Sequence, residues 1–109
     1  MKSLSTTVHA STNKALILAI LAKRKESYGY EIIKLVLTLS DGAFQWKDGM
    51  LYPVLHRMEK DGLVASRWRL AENGRKRKYY RITDEGVRAL SAMKTQWQQM
   101  NTAMTKAWN

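Results

Sequence analysis

The chain reads as a mainly α fold with a small β-hairpin: a winged helix-turn-helix followed by a C-terminal dimerisation helix. Three observations predict this. Apolar residues recur at helical spacing in three stretches between residues 12 and 60. Two alternating, strand-like runs then flank an Asn73-Gly74 pair, a hairpin turn signal. A final helical stretch repeats apolar residues at spacings of 3, 4, 3 and 4. With 109 residues and 45% hydrophobic content, the chain can build one modest core.

The opening "MKSLSTTVHA" is polar and expected to fray. Helix one is expected from about Thr12 to Arg24. Its run "ALILAILA" is apolar around nearly the whole circumference, so it should be buried on two sides, by its own core and by a second partner such as another subunit. Helix two follows from about Tyr28 to Leu39, with Tyr28, Ile32, Leu35 and Leu39 as its stripe. Ser40 to Gly42 ends it, and "AFQW" is then expected as a short strand.

Helix three begins near Asp48, a plausible N-cap, and carries Leu51, Val54, Leu55 and Met58 on its core face. Lys60 to Gly62 ends it, with Gly62 as the C′ residue. The only proline, Pro53, falls inside this helix. Counted from an Asp48 cap it is the fifth helical residue, and the bond it cannot make is the one to the Gly49 carbonyl. That loss sits early enough to leave the helix intact and its first turn loosened.

In the hairpin, Val64, Trp68 and Leu70 alternate with Arg67 and Arg69, and Tyr80 and Ile82 with Tyr79 and Arg81. Thr83 can cap the last helix, and Asp84 and Glu85 suit the positive end of its dipole. It should run to about Lys106, roughly 35 Å. Val87 and Leu90 are expected to pack back on the domain. Leu90, Met93, Trp97, Met100 and Met104 form the heptad seam, and beyond about Met93 that seam is expected to meet a partner subunit. Residues 1–83 are thus expected to form a winged helix-turn-helix with its N-terminal helix, an arrangement that commonly serves as a DNA-binding domain, and residues 84–109 a dimerisation helix.

The charge names the partner class. There are 19 Lys+Arg against 9 Asp+Glu, a net charge of +10. Residues 47–82 hold 10 of the basic and 4 of the acidic side chains, so a +6 surplus is concentrated on helix three and the hairpin. That is the footprint of a surface for a polyanion. The absence of cysteine excludes disulfides and thiolate metal sites. The longest apolar run, eight residues, cannot span a bilayer and has the wrong flanks for a secretory signal, so a cytoplasmic protein is expected. His9 and His56 are the only histidines. No acid pair stands beside one at metal-ligand spacing, and there is no Gly-rich phosphate loop. No enzymatic activity, metal or cofactor is expected.

Three blocks carry a resemblance: "YGYEI" (28–32), "GMLYPVLHRMEKDGLV" (49–64) and "GRKRKYYRITDEG" (74–86). In register over about Leu16 to Leu90, the chain resembles the PadR family of bacterial transcriptional regulators, in its small subgroup with a single short C-terminal helix. The resemblance implies a dimeric repressor. It also implies a recognition helix in the DNA major groove, a basic wing beside it, and dimerisation through the C-terminal helix. One departure is Met50, where the family often has Thr or another small polar residue.

Within that frame the candidate DNA contacts are Lys47, Gly49, Met50, Tyr52 and His56 on helix three, with Arg67, Arg75, Lys76 and Arg77 on the wing. The first turns of a recognition helix reach base edges, and Gly49 lets the duplex approach the backbone. Tyr52 can offer a hydroxyl to phosphate or its ring to a thymine methyl. Arg57 is equally well explained as the partner of a nearby acid. Strand alternation prevents residues 75–78 from all facing one surface, so those nearest the tip are favoured for phosphate or the minor groove. The same charges could serve only to protect an exposed sheet edge.

Some short members of the similar family bind flat aromatic compounds between subunits, stacked on tryptophan. Met93 and Trp97 fall where such a small aromatic ligand would sit, and a ligand-free, Met-rich dimer core explains them equally well. Two other readings stay open: a non-specific nucleic-acid-binding protein of chromatin type, and a winged-helix module that docks on a protein.

Overall fold

A computed structural model describes residues 13–109 in full and, of residues 2–12, only their place in the first helix. The expected fraying of the start lies outside the described residues. Four helices and three strands follow in the order α1 (Lys2–Lys23), β1 (Ser27–Tyr28), α2 (Gly29–Leu39), α3 (Asp48–Lys60), β2 (Val64–Leu70), β3 (Lys76–Ile82) and α4 (Asp84–Trp108). The strands form an antiparallel sheet in the order β1-β3-β2. This is the winged helix-turn-helix arrangement with a long C-terminal helix.

One core holds the fold together. Ile17, Leu18, Ile20 and Leu21 of α1 are buried against Ile32 and Val36 of α2, Leu51, Leu55 and Met58 of α3, and Val64 and Tyr80 of the sheet. The predicted stripe of α3 is therefore the observed one, with Val54 half-buried at its margin. Burying one such side chain is worth about 1.5–3 kcal/mol. That exceeds the roughly 1 kcal/mol lost with one hydrogen bond at Pro53, and α3 runs through the proline without a break.

The structure corrects several expectations. Helix α1 begins at Lys2, not Thr12. Its apolar run is packed within the chain by α2, α3, β3 and α4, and of residues 15–22 only the small Ala19 and Ala22 are exposed. The extra strand is not at residues 43–46, which have no regular structure. It is Ser27–Tyr28, paired with Tyr79 and Tyr80. Two residues are too few to leave a period in the sequence. Tyr28 thus belongs to a strand, and α2 buries Gly29, Ile32 and Val36 while Leu39 is exposed. The N-cap of α3 is Lys47, and Asp48 is its first helical residue. Pro53 is accordingly the sixth helical residue, one later than expected. Leu90 packs on the core as expected, but Val87 is half-exposed, and Ala89 and Met93 pack beside Leu90.

The ends of the elements follow their sequence signals. Gly62, with φ +79°, closes α3: its N–H donates to the Glu59 carbonyl at 3.0 Å and that of Leu63 to the Met58 carbonyl at 2.9 Å. In the hairpin turn the Gly74 N–H donates to the Ala71 carbonyl at 2.9 Å, and Gly74 alone takes the left-handed conformation. Thr83 caps α4, its hydroxyl accepting the Gly86 N–H at 3.0 Å and donating to the Gly62 carbonyl at 2.6 Å. A Cβ on Gly86 would collide with the Leu63 carbonyl oxygen, so the chain can enter α4 this close to the end of α3 only with glycine there.

Candidate nucleic-acid interface

Helix α3 buries one side and presents the other. Lys47, Gly49, Tyr52, His56, Arg57 and Lys60 are all exposed. No atom would crowd a Cβ at Gly49, so the backbone at the start of α3 is open to an approaching surface. The missing Pro53 donor leaves the Gly49 carbonyl without its helical partner at the same end. Asp48 favours the helix dipole here and also competes with any phosphate that would bind this end.

The side chains of this surface are individually positioned. Tyr52 lies over the start of α2: a Cβ on Gly29 would stand 2.5 Å from its hydroxyl oxygen. Gly29 thus creates the slot that sets the Tyr52 ring, a role the sequence reading did not assign although Gly29 sits in "YGYEI". Met50 is half-buried, its sulfur accepting from the Asn13 Nδ2 at 3.8 Å, and so turns toward α1. Arg57 reaches Asp61 one turn on, at 3.5 Å, a solvent-exposed pair.

Glu59 joins α3 to the hairpin. The Ser66 hydroxyl donates to it at 2.5 Å and the Lys78 ammonium lies 3.5 Å away. The Ser66 hydrogen bond is the main reason its carboxyl titrates below the usual carboxylate range, with Lys78 and His56 adding to it against the cost of partial burial. Beside it, burial raises the Tyr80 phenol above its ordinary value.

The hairpin has two different faces. On the face turned away from the helices, Glu26 accepts from Arg67 at 3.1 and 3.2 Å and also pairs with Arg69. The Arg69 guanidinium stacks 4.2 Å from the Tyr79 ring, Tyr79 meets Tyr28 edge-on at 5.3 Å, and Arg77 stacks 4.4 Å from the Tyr28 ring. Arg67 and Arg77, both candidate DNA contacts, are thus engaged within the chain. Arg75 and Lys76 at the tip are exposed, and neither has an ion-pair partner among the described residues. On the opposite face, Ser66, Lys78 and Tyr80 lie toward α3, and Trp68 and Leu70 continue outward beyond the core.

Among the described residues, helix α4 joins the core only through its first turns. Ala89, Leu90 and Met93 pack on the core, and from Lys94 onward every residue is exposed. Trp97, Met100 and Met104 are 64%, 56% and 41% exposed, and Trp108, missed in the sequence reading, extends this apolar side. Among the described residues no group of three or more His, Cys, Asp or Glu side chains converges, and no helix is long and apolar enough to cross a membrane.

Known proteins share both fold and sequence. The profile of the transcriptional regulator PadR-like family matches residues 17–92. A transcriptional regulator from Clostridium thermocellum superposes with a TM-score of 0.81 at 31% identity, over 92% of this chain and 96% of its own. A PadR family transcriptional regulator from Eggerthella lenta superposes at 0.77 with 33% identity, over 99% and 91%. Transcriptional regulator Rv3488 of Mycobacterium tuberculosis is 45% identical over 53 residues, which is 49% of each chain. A family match that runs from α1 through the hairpin into α4, on a fold shared nearly end to end, makes this chain a member of the PadR-like family of transcriptional regulators.

Proposed function

We propose that this chain is a sequence-specific, dimeric DNA-binding repressor of the cytoplasm. The observation that carries the reading is the open side of α3. Lys47, Gly49, Tyr52 and His56 are exposed along it, beside a wing whose tip holds Arg75 and Lys76 without ion-pair partners among the described residues. In this reading residues 1–83 bind the operator, with α3 in the major groove and the wing tip on phosphate or the minor groove. Met50, Arg67 and Arg77 contribute from the edge, since each already has a partner in the chain.

Residues 84–109 form the dimer seam through Leu90, Met93, Trp97, Met100 and Met104. Its support is the exposed apolar side of α4, which a second subunit would cover. Met93 and Trp97 would line a site for a small aromatic ligand that relieves operator binding. Titration with planar cationic dyes tests that part: tryptophan quenching that survives Trp97→Ala counts against it.

The decisive experiment is a mobility shift on the gene's own upstream region with competitor DNA at several salt concentrations. Sequence-specific retention is expected. For about 6–10 phosphate contacts, affinity should fall by about 10³–10⁵ between 50 and 200 mM salt. Retention lost to any competitor would mark a non-specific coating protein, and a salt-independent Kd would refute the electrostatic reading.

A further inference from the structure

The hairpin face that joins α3 carries an apolar ledge where a solvent-facing strand would be polar. At its base, Val64 and Tyr80 are buried, and Ser66 and Lys78 meet Glu59 of α3. Two positions farther out on the same face stand Trp68 and Leu70, 64% and 70% exposed. In the strand register Trp68 is opposite Lys78 and Leu70 opposite Lys76. Directly opposed residues share a face, with side chains about 4.5–5.5 Å apart at Cβ. Each large apolar side chain therefore stands beside a cation. The arginines of β2 are on the other face, held by Glu26 and Tyr79.

We propose that Trp68 and Leu70 are DNA-contact residues, set by the wing against the deoxyribose wall of the minor groove while Lys76 takes the adjoining phosphate. The proposal rests on the DNA-binding reading above. Charge selects the occupant. The outer end of the ledge is bordered by Lys76 and Arg75, neither of them in an ion pair among the described residues; Lys78, opposite Trp68, is shared with Glu59 at the base of the face, and Glu72 sits in the turn rather than on the strands. A second copy presenting the same cations would be repelled, whereas a duplex alternates apolar sugar with phosphate at about 3.4 Å per charge on each strand. Position agrees, because Glu59 ties this face to the helix whose exposed side carries Lys47, Gly49, Tyr52 and His56. Apolar side chains against the minor groove are an established means of holding DNA.

The experiment compares wild type with Trp68→Ala, Trp68→Phe, Leu70→Ser and Lys76→Ala on duplexes that wild type selects from a random pool, between about 50 and 200 mM salt. Trp68→Ala should weaken binding roughly tenfold, the loss expected of a truncated interface anchor, with the salt slope unchanged. Trp68→Phe should restore most of it, and Leu70→Ser should fall between. Lys76→Ala should instead reduce the salt slope by about 1. Trp68 is exposed, and an unchanged melting temperature confirms that its variants fold.

Wild-type affinity in both Trp68→Ala and Leu70→Ser, alongside a weakened Lys76→Ala, would overturn the ledge and leave the DNA reading standing. Unchanged DNA affinity with loss of concentration-dependent self-association in sedimentation would assign the ledge to protein contact instead. Failure of wild type to enrich any duplex would remove both readings.

Discussion

Helices α3 and α4 carry the same kind of apolar stripe and meet opposite fates. In α3, Leu51, Leu55 and Met58 are sealed in the core by α1, α2 and the sheet. In α4, Ala89, Leu90 and Met93 reach that core, and Trp97, Met100 and Met104 lie open. The first stripe contributes to folding of the single chain. The second does not, because no described residue of the chain covers it. A stripe thus states that a face has to be covered, and the fold decides whether the chain or another molecule covers it.

Leu55→Ala tests the sealed stripe and should have the largest effect, a loss of about 2–5 kcal/mol in denaturant unfolding, because the cavity lies among neighbours that cannot collapse into it. Met100→Glu tests the open one. Protein at low concentration should unfold as wild type does, while sedimentation should show a dimer weakened by about 30-fold or more, the scale of an interface hot spot. If Met100→Glu instead destabilised the isolated chain as much as Leu55→Ala, the contrast between the two helices would fail. Arg57→Ala removes only the exposed pair with Asp61 on the outer side of α3 and should change stability by less than about 1 kcal/mol.

The smallest effect concerns the tie between α3 and the hairpin. The Glu59 carboxyl titrates below its ordinary value of 4.5 in the folded protein. The folded state therefore binds its proton less readily than the unfolded chain does. Its contribution is present above about pH 4.5 and is lost as the pH falls through the depressed value. Ser66→Ala should flatten that acid limb of the stability curve, and an unchanged limb would show that the hydrogen bond contributes nothing.

Much of the fold was legible without coordinates. The stripe of α3, its Gly62 stop, the hairpin around Asn73-Gly74 and the Thr83 cap are all set by residues within a few positions of one another. The family was legible for a related reason, since its blocks at 28–32, 49–64 and 74–86 are contiguous. The candidate site was less legible. Arg67 looked free until the fold placed Glu26, 41 residues away, against it. Tyr52 was legible as an outward-facing ring, but not that Gly29, 23 residues away, provides its slot.

The sequence by itself determined the core stripe of α3, the two hairpin strands and the long last helix, because side-chain direction repeats every 3.6 or 2 residues. Alternation even placed Val64, Trp68 and Leu70 on one face of the hairpin. Only the tertiary structure decided that the core ends beneath Val64 and leaves Trp68 and Leu70 uncovered. It also decided that β1 closes the inner edge of β3 and that α4 leaves the domain after Met93. The physical reason is that burial depends on how far neighbouring elements extend in space, which no local period records.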